Sequence, residues 1–440
     1  MKEQLVVIGN GMAGMRTVEE LLKLDRERYE ITVFGAEPHV NYNRILLSPV
    51  LAGEKTLEEI VLNDRDWYAD NGISLYTGDP VKHINRRSRV VVAESGMEVP
   101  YDRLLLATGS KPFVIPVPGH DLPGVVTFRD IGDVNAMLEA SRKYRRAAVI
   151  GGGLLGLEAA NGLMKQGMDV TVIHLMDSLM ERQLDKPAAD LLRQSLIERG
   201  LDFRMQAQTE SILGKRRVEG IRFADGTEID ADLVVMAAGI KPNVDLARDA
   251  GLHCERGVVV HDTMQTYDPR IYAVGECLEH RKATYGLVAP IWEQAKVCAN
   301  HLAQYAIGRY EGSVTSTKLK VTGIDLFSAG DYEGDETTDD IVFQDPRRGV
   351  YKRVVVKDNR IQGAVLYGDT ADGPWYFDLM KRGEDIGDIR DRLIFGRAYA
   401  MNDEPAAEGG RAAAMSDDEQ VCDCNGVCKG TIVRAIQEHD

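Results

Sequence analysis

The chain has 440 residues, 44% hydrophobic and 28% charged, which at roughly 150 residues per domain predicts about three domains, each large enough to bury a core. Lys plus Arg number 53 against 69 Asp plus Glu, a net charge of -16, which is the wrong sign for a nucleic-acid partner. No apolar run approaches the roughly 20 residues of a spanning helix, and the N-terminal apolar stretch opens into glycines rather than a signal-peptide cleavage site, so a cytoplasmic protein without a membrane partner is expected.

Residues 4–8 are a short β-branched run. Gly9-Asn10-Gly11-Met12-Ala13-Gly14 follows and leads into a helical pattern over 15–24; a second strand over 31–34 ends near Glu37. The same grammar returns 142 positions later: a strand over 147–150, Gly151-Gly152-Gly153-Leu154-Leu155-Gly156, a helix through Lys165 and a strand over 170–173. A repeated βαβ unit implies two nucleotide-binding domains. Further apolar runs at 103–107, 233–237 and 271–274 close on Gly109, Gly239 and Gly275, as parallel strands covered on both faces do. From Lys318 the pattern alternates over 318–321, 341–343, 350–356 and 360–367, then turns helical from Pro374. The expected fold is α/β, with two Rossmann-like dinucleotide-binding domains and a small α+β C-terminal domain. The expected boundaries are 1–115 with 245–315 for the first domain, 116–244 for the second and 316–400 for the third. A linker over 401–420 and a cysteine-rich segment over 421–440 complete the chain.

A glycine turn between strand and helix lets backbone N–H groups and the helix N-terminus meet a pyrophosphate, while its last glycine lets helix approach strand. Gly9, Gly11 and Gly14 fit this, with Met12 and Ala13 in the turn, and Glu37 stands 23 residues past Gly14 to accept from ribose hydroxyls. Gly151, Gly153 and Gly156, with Leu154 and Leu155, fit equally well, but His174 occupies the strand end where an NADH site usually carries an acid. A histidine tolerates a 2′-phosphate, yet Asp177 and Glu181 lie close and no arginine precedes Arg182, so the coenzyme stays open and His174 is equally readable as a plain strand-end residue. Two such turns invite a flavin and a nicotinamide, the usual pair for hydride chemistry. The basic run 142–146 reads as a solvated face, and the acidic run 331–340 lacks the ligand spacing of a calcium loop.

Six cysteines stand at 254, 277, 298, 422, 424 and 428. None precedes Cys254, and the first three form no CxxC pair, so a thiol relay is not expected and they read as small buried hydrophobes. The terminal Cys422, Cys424 and Cys428 are close enough to share a soft metal centre.

With Leu104-Leu105-Leu106-Ala107-Thr108-Gly109 and Gly275-Glu276 added, the chain resembles the two-dinucleotide-binding-domain flavoprotein reductases. Within them it is similar to the large subunit of assimilatory NAD(P)H-dependent nitrite reductase, through Tyr42-Asn43-Arg44 with Leu47-Ser48, Gly275-Glu276-Cys277 with Tyr285 to Pro290, and the run 318–327. The resemblance implies that FAD is held by the first glycine turn, Glu37, Asn43, Arg44, Ser48, Val81, Ala107, Thr108, Gly109, Gly275, Glu276 (on a ribityl hydroxyl) and Trp292. It implies that NAD(P)H is held by the second turn with His174, Ala238 and Gly239. Glu158 is then placed at the junction of nicotinamide and flavin; related ferredoxin reductases pair such a Glu with a Lys after the Leu-Ser dipeptide, but here that position is Pro49, so Arg44 is expected to supply the charge. Trp292 also has a plainer reading as a core aromatic, and the helix from Pro290 is expected to aim its N-terminus at the flavin.

The same resemblance makes Cys422 and Cys424 ligands of a ferredoxin-like [2Fe-2S] module that needs two further thiolates, and the chain stops twelve residues after Cys428. A zinc site with His439 is the other reading, and an unmetallated, disordered tail is the expectation for this chain alone. The implied role is electron input from NAD(P)H through FAD to an iron–sulfur acceptor, with nitrite reduced on a sirohaem domain elsewhere. A free-standing rubredoxin or ferredoxin reductase and a non-enzymatic dinucleotide-binding protein are the alternatives. A second copy of the chain is left open as a further partner.

Overall fold

The computed structural model describes residues 2–319, 321, 323–401, 415–417, 420–422 and 427–439. The first strand, β1 (Glu3–Ile8), buries Leu5 to Ile8 on both faces and runs through the glycine turn into α1 (Met12–Leu24). β2 (Tyr29–Gly35) lies parallel to it, Glu3 opposite Tyr29 and Ile8 opposite Phe34. After a short helix, α2 (Leu47–Leu51), come β3 (Ile73–Thr77) and β4 (Arg103–Leu106).

The chain then enters a second unit built the same way: β5 (Val125–Thr127), α3 (Ile131–Lys143), β6 (Arg146–Ile150), α4 (Leu154–Lys165), β7 (Asp169–Ile173), α5 (Lys186–Glu198), β8 (Asp202–Arg204) and β9 (Leu233–Met236). It returns to the first unit for β10 (Ile271–Ala273) and α6 (Val288–Leu302). The two five-stranded sheets have the orders β10-β4-β1-β2-β3 and β5-β9-β6-β7-β8, parallel throughout, so one topology occurs twice. Every interior strand is apolar because helices or loops cover both of its faces. The two crossing segments, Ser110–Pro112 and Ile240–Pro242, run side by side as an antiparallel pair with Ser110 opposite Pro242.

The third unit is an antiparallel sheet of β11 (Ser316–Thr317), β12 (Leu326–Gly330), β13 (Asp339–Asp345), β14 (Val350–Lys357) and β15 (Arg360–Tyr367), in the order β11-β12-β15-β14-β13. α7 (Gly373–Arg382) packs Tyr376 and Leu379 onto its inner face with Phe327, Val354 and Leu366. The expected strand over 318–321 is not seen among the described residues, where the pairing is confined to Ser316–Thr317. Leu319 and Val321 are instead buried in a cluster with Leu51, Leu157 and Tyr351, so contact with the first two units, rather than a sheet face, gives that stretch its apolar residues.

The 401–420 segment lies mostly outside the described residues. The tail was expected to be disordered, and its described part is not: Gln420–Cys422 pairs with Val427–Cys428, and α8 (Lys429–His439) follows, its Lys429 ammonium donating to the Met415 carbonyl at 2.7 Å. Ile432, Val433 and Ile436 fall at helical spacing, with Val433 and Ile436 exposed. Among the described residues no helix is long and apolar enough to cross a membrane.

Candidate active site

Both glycine turns have the same anatomy. Gly9 and Gly151 are left-handed, with φ of 119° and 130°, and a Cβ on either would stand 2.1 Å from the Ala107 carbonyl oxygen or 2.2 Å from that of Ala237. A Cβ on Gly14 would meet the Gly9 oxygen at 2.5 Å, and one on Gly156 the Gly151 oxygen at 1.9 Å, so these glycines bring helix onto strand. Gly11 and Gly153, the N-cap residues of α1 and α4, face open space: no atom lies within 4 Å of where their Cβ would be. Neither helix start is capped by a side chain or carries an acid in its first turn. Each is a bare positive helix end beside a gap, the arrangement that receives a pyrophosphate.

The first cradle is completed by segments far away in sequence. A Cβ on Gly275 would lie 2.7 Å from Ala13 Cβ, so the Gly275-Glu276 turn sits against the first turn of α1, and Ala107 to Gly109 lies beneath Gly9. Glu276 accepts from Ser110 Oγ at 2.8 Å and from the Arg129 guanidinium, both on Oε2. Gln294 is fully buried on α6; its Oε1 accepts from the Gly275 N–H at 2.9 Å, and its Nε2 makes no hydrogen bond of good geometry among the described residues, the Tyr310 hydroxyl being the nearby group. A buried donor without an acceptor is costly, and a carbonyl-bearing ring bound beside Gly275 would satisfy it. Trp292 packs with Met12 and Ile291, with the Arg16 guanidinium 5.2 Å from its ring centroid, so it is a buried aromatic at the edge of this cradle. The start of α6 is likewise uncapped. Val81 belongs to the core of the first unit, so only its main chain is available to a ligand.

Glu37 and Arg44 do not wait for a ligand. Glu37 accepts from Arg44 Nη2 at 2.5 Å and from Tyr42 Oη at 2.7 Å, and Arg44 Nη1 donates to the Arg129 carbonyl at 2.6 Å. Burial pushes the Tyr42 phenol well above its ordinary value, which keeps it a neutral donor. The expected pairing of Arg44 with Glu158 is therefore corrected: the guanidinium is held by Glu37, seven positions back, and by the Arg129 carbonyl. Glu158 is buried on α4 and accepts instead from Ser48 Oγ, on α2 of the first unit, so the bond joins the two units. Asn43 is buried and its Oδ1 caps the next turn by accepting from the Ile45 N–H at 3.1 Å.

At the second cradle His174 lies under the glycine turn. Its Nδ1 accepts from the Gly152 N–H at 3.1 Å, which leaves the proton on Nε2, directed at the Ser178 carbonyl oxygen (3.0 Å) and Glu181 Oε2 (3.1 Å). Ala238 and Gly239 are exposed beyond the C-terminal end of β9, beside the turn. Leu154 is half-buried and Leu155 is exposed at the helix start. The described cysteines of the first two units are not paired: Cys254, Cys277 and Cys298 are free thiols, the last two fully buried, and burial pushes both up, the setting of inert cysteines. Cys424 and the side chain of Cys422 lie outside the described residues.

Sequence reasoning missed Arg129; it placed Ser110 in the turn after the Leu104 strand and Gln294 on the helix aimed at the flavin, without their bonds to Glu276 and Gly275. Arg129 meets Glu276 across 147 positions, and no local pattern announces such a contact.

Two dinucleotide cradles of one topology, joined by a buried serine–carboxylate bond, define a two-nucleotide reductase architecture. The chain belongs to the pyridine nucleotide-disulphide oxidoreductase family, whose model matches residues 3–301, and a rubredoxin NAD+ reductase C-terminal domain matches residues 316–384. Membership makes it an FAD-dependent oxidoreductase, with FAD and NAD(P)H as the bound pair. It is 52% identical to the nitrite reductase [NAD(P)H] of Bacillus subtilis (strain 168), over 99% of this chain and 54% of that protein. It is 46% identical to the assimilatory nitrate reductase electron transfer subunit of the same organism, over 99% of this chain and 55% of that one. The chain thus spans about half the length of these relatives. Among solved structures, the covalent putidaredoxin reductase–putidaredoxin complex matches with a TM-score of 0.80 at 27% identity, covering 87% of this chain and 94% of that one.

Proposed function

We propose that this chain is the electron-input portion of an assimilatory nitrite reductase, drawing electrons from NAD(P)H and delivering them to an iron–sulfur acceptor that serves a sirohaem nitrite-reducing domain. Bound FAD supplies the link between a two-electron donor and a one-electron acceptor. The protein's part is positional. The α1 turn holds the FAD pyrophosphate, Glu276 takes a ribityl hydroxyl on Oε1, and Gln294 Nε2 donates to the flavin ring. The α4 turn holds the coenzyme, and Glu158 with Ser48 sets the approach of the second unit to the first. The observation that carries the reading is the pair of equivalent open cradles at Gly11 and Gly153, one in each unit. The B. subtilis relatives supply the nitrite assignment. The finer features are part of the same proposal: a cytoplasmic setting, a [2Fe-2S] cluster on Cys422 and Cys424 completed by thiolates from elsewhere, and a homodimer.

A free-standing rubredoxin or ferredoxin reductase is the second reading, favoured by the C-terminal domain match over residues 316–384. The experiment is an anaerobic titration of the purified flavin-loaded chain with NADH and then NADPH. Bleaching of the flavin band is expected, followed by reoxidation when a separately purified nitrite-reducing domain is added. A chain that stays colourless after reconstitution, or stays oxidised with both coenzymes, overturns the proposal; reoxidation by rubredoxin alone favours the second reading.

A further inference from the structure

The two units can be aligned through their ladders. Gly9 N–H donates to the Phe34 carbonyl and Gly151 N–H to that of Ile173, at 2.8 and 2.9 Å, so His174 corresponds to Gly35 and Met176 to Glu37. The position that carries an acid in the first unit is apolar in the second, where Leu175 is 62% and Met176 47% exposed. Asp177 follows Met176 in sequence but is exposed and lies 3.8 Å from Lys186; the carboxylate that reaches back to the strand end is Glu181. Its Oε2 accepts from His174 Nε2–H, the ring spans from Glu181 to the Gly152 N–H, and Glu181 Oε1 makes no hydrogen bond among the described residues. The carboxylate is thus held one imidazole away from the turn that cradles the coenzyme.

The third unit fixes this arrangement. Tyr332 Oη donates to the Glu181 carbonyl at 2.7 Å, and Tyr351 Oη to Asp185 Oδ2 at 2.5 Å, with Arg353 Nη1 3.3 Å from the same oxygen. The basic side chains nearby are mostly engaged. Lys186 lies 3.8 Å from Asp177 and 3.6 Å from Asp190, and Arg204 faces Asp225, whose carboxyl is held low mainly by Thr227 and in smaller part by that guanidinium. Arg182 is exposed.

We propose that Glu181, oriented by His174 and by the Tyr332 brace, is the specificity-determining residue for the coenzyme ribose, accepting from the 2′-hydroxyl of NADH and repelling the 2′-phosphate of NADPH. The inference rests on the reading that the Gly151–Gly156 turn holds the coenzyme. A carboxylate accepts a hydroxyl well and meets a phosphate as a like charge. In the first unit the corresponding acid, Glu37, is held by Arg44 and Tyr42; in the second the acid comes from five residues further along and is presented through a ring.

The test measures binding and turnover together. Calorimetric titration of NAD+ and NADP+ into the flavin-loaded chain needs no electron transfer and isolates recognition; steady-state kcat/KM with NADH and NADPH follows. Wild type is expected to favour the unphosphorylated coenzyme at least tenfold in both. Glu181→Gln is expected to lose about tenfold for NAD+ and NADH while NADP+ and NADPH hold or improve. Tyr332→Phe, which keeps the carboxylate but loosens its backbone, is expected to narrow the ratio less. Equal losses for both coenzymes, no change on Glu181→Gln, or a wild type that favours NADP+ through Arg182 would overturn the assignment. Selective NAD+ binding with no flavin bleaching would uphold it and sink the electron-input reading instead.

Discussion

Two glycines of the second turn do different jobs in this molecule, and the difference can be measured. Gly156 is a packing residue: its missing Cβ would sit 1.9 Å from a backbone oxygen, so Gly156→Ala must push α4 off β6. Overpacking of that kind costs about 1–3 kcal/mol or more and should lower the melting temperature by several degrees. Gly153, proposed to meet the coenzyme pyrophosphate, has an ordinary backbone φ of -83° and open space beyond its Cα. Gly153→Ala is therefore expected to melt within about 1 kcal/mol of wild type, while a methyl in the pyrophosphate path raises KM for the coenzyme by about tenfold and leaves flavin content unchanged. Thermal melts and steady-state kinetics on the two variants check this; a Gly153→Ala enzyme with normal KM would rule the second cradle out as the coenzyme site. These glycines were legible in the sequence because the turn they serve is local. His174 was only half legible: its strand-end position could be read, but its ring was free to face a ribose or the turn beneath, and the Gly152 N–H decides for the turn.

Elements in this fold are tied at their ends as much as along their faces. The strand Leu278–His280 is fastened to the loop after Val258–Val260 by Asp262, which accepts from His280 Nε2 at 2.9 Å and from Arg281 Nε and Nη2 at 3.0 and 2.8 Å. The Arg281 hydrogen bond first, and the His280 one next, hold the Asp262 carboxyl down at about 2. A depressed acid contributes stability above its ordinary value near 3.8, and that contribution disappears as pH falls through the folded value. Asp262→Asn is accordingly expected to melt a little below wild type at pH 5 to 7, with the gap closing between roughly pH 4 and pH 2. Arg281 is solvent-exposed, so its share of the gap is small, whereas His280 is buried; melting curves at several pH values read the gap, and a gap independent of pH contradicts the assignment. Most elements were visible in advance because the buried parallel strands are short apolar runs ended by glycine. The stretch around Leu319 was misread because alternating apolar residues look alike whether they face a sheet core or a seam between domains.

On the scale of the whole molecule the three units share one apolar cluster. Leu47 and Leu51 of the first, Leu157 and Val235 of the second, and Leu319, Tyr351 and Tyr367 of the third are buried in it together. Domains with small polar interfaces melt separately, but these do not have one. Calorimetry of the flavin-loaded chain should give one dominant transition, and well-separated melts for the individual units would contradict the shared core. Such contacts carry no signature in the sequence: Tyr332 reaches the Glu181 carbonyl across 151 positions, and only folding brings them together. The side-by-side crossing of Ser110–Pro112 and Ile240–Pro242 has a practical consequence for engineers. The second unit enters and leaves through a single doorway, so it can be cut out and replaced at one suture, as a cartridge is. Any donor cartridge must bring greasy side chains that fit the recipient's Leu51 and Tyr351, or the transplant will be rejected at its far wall rather than at the stitches.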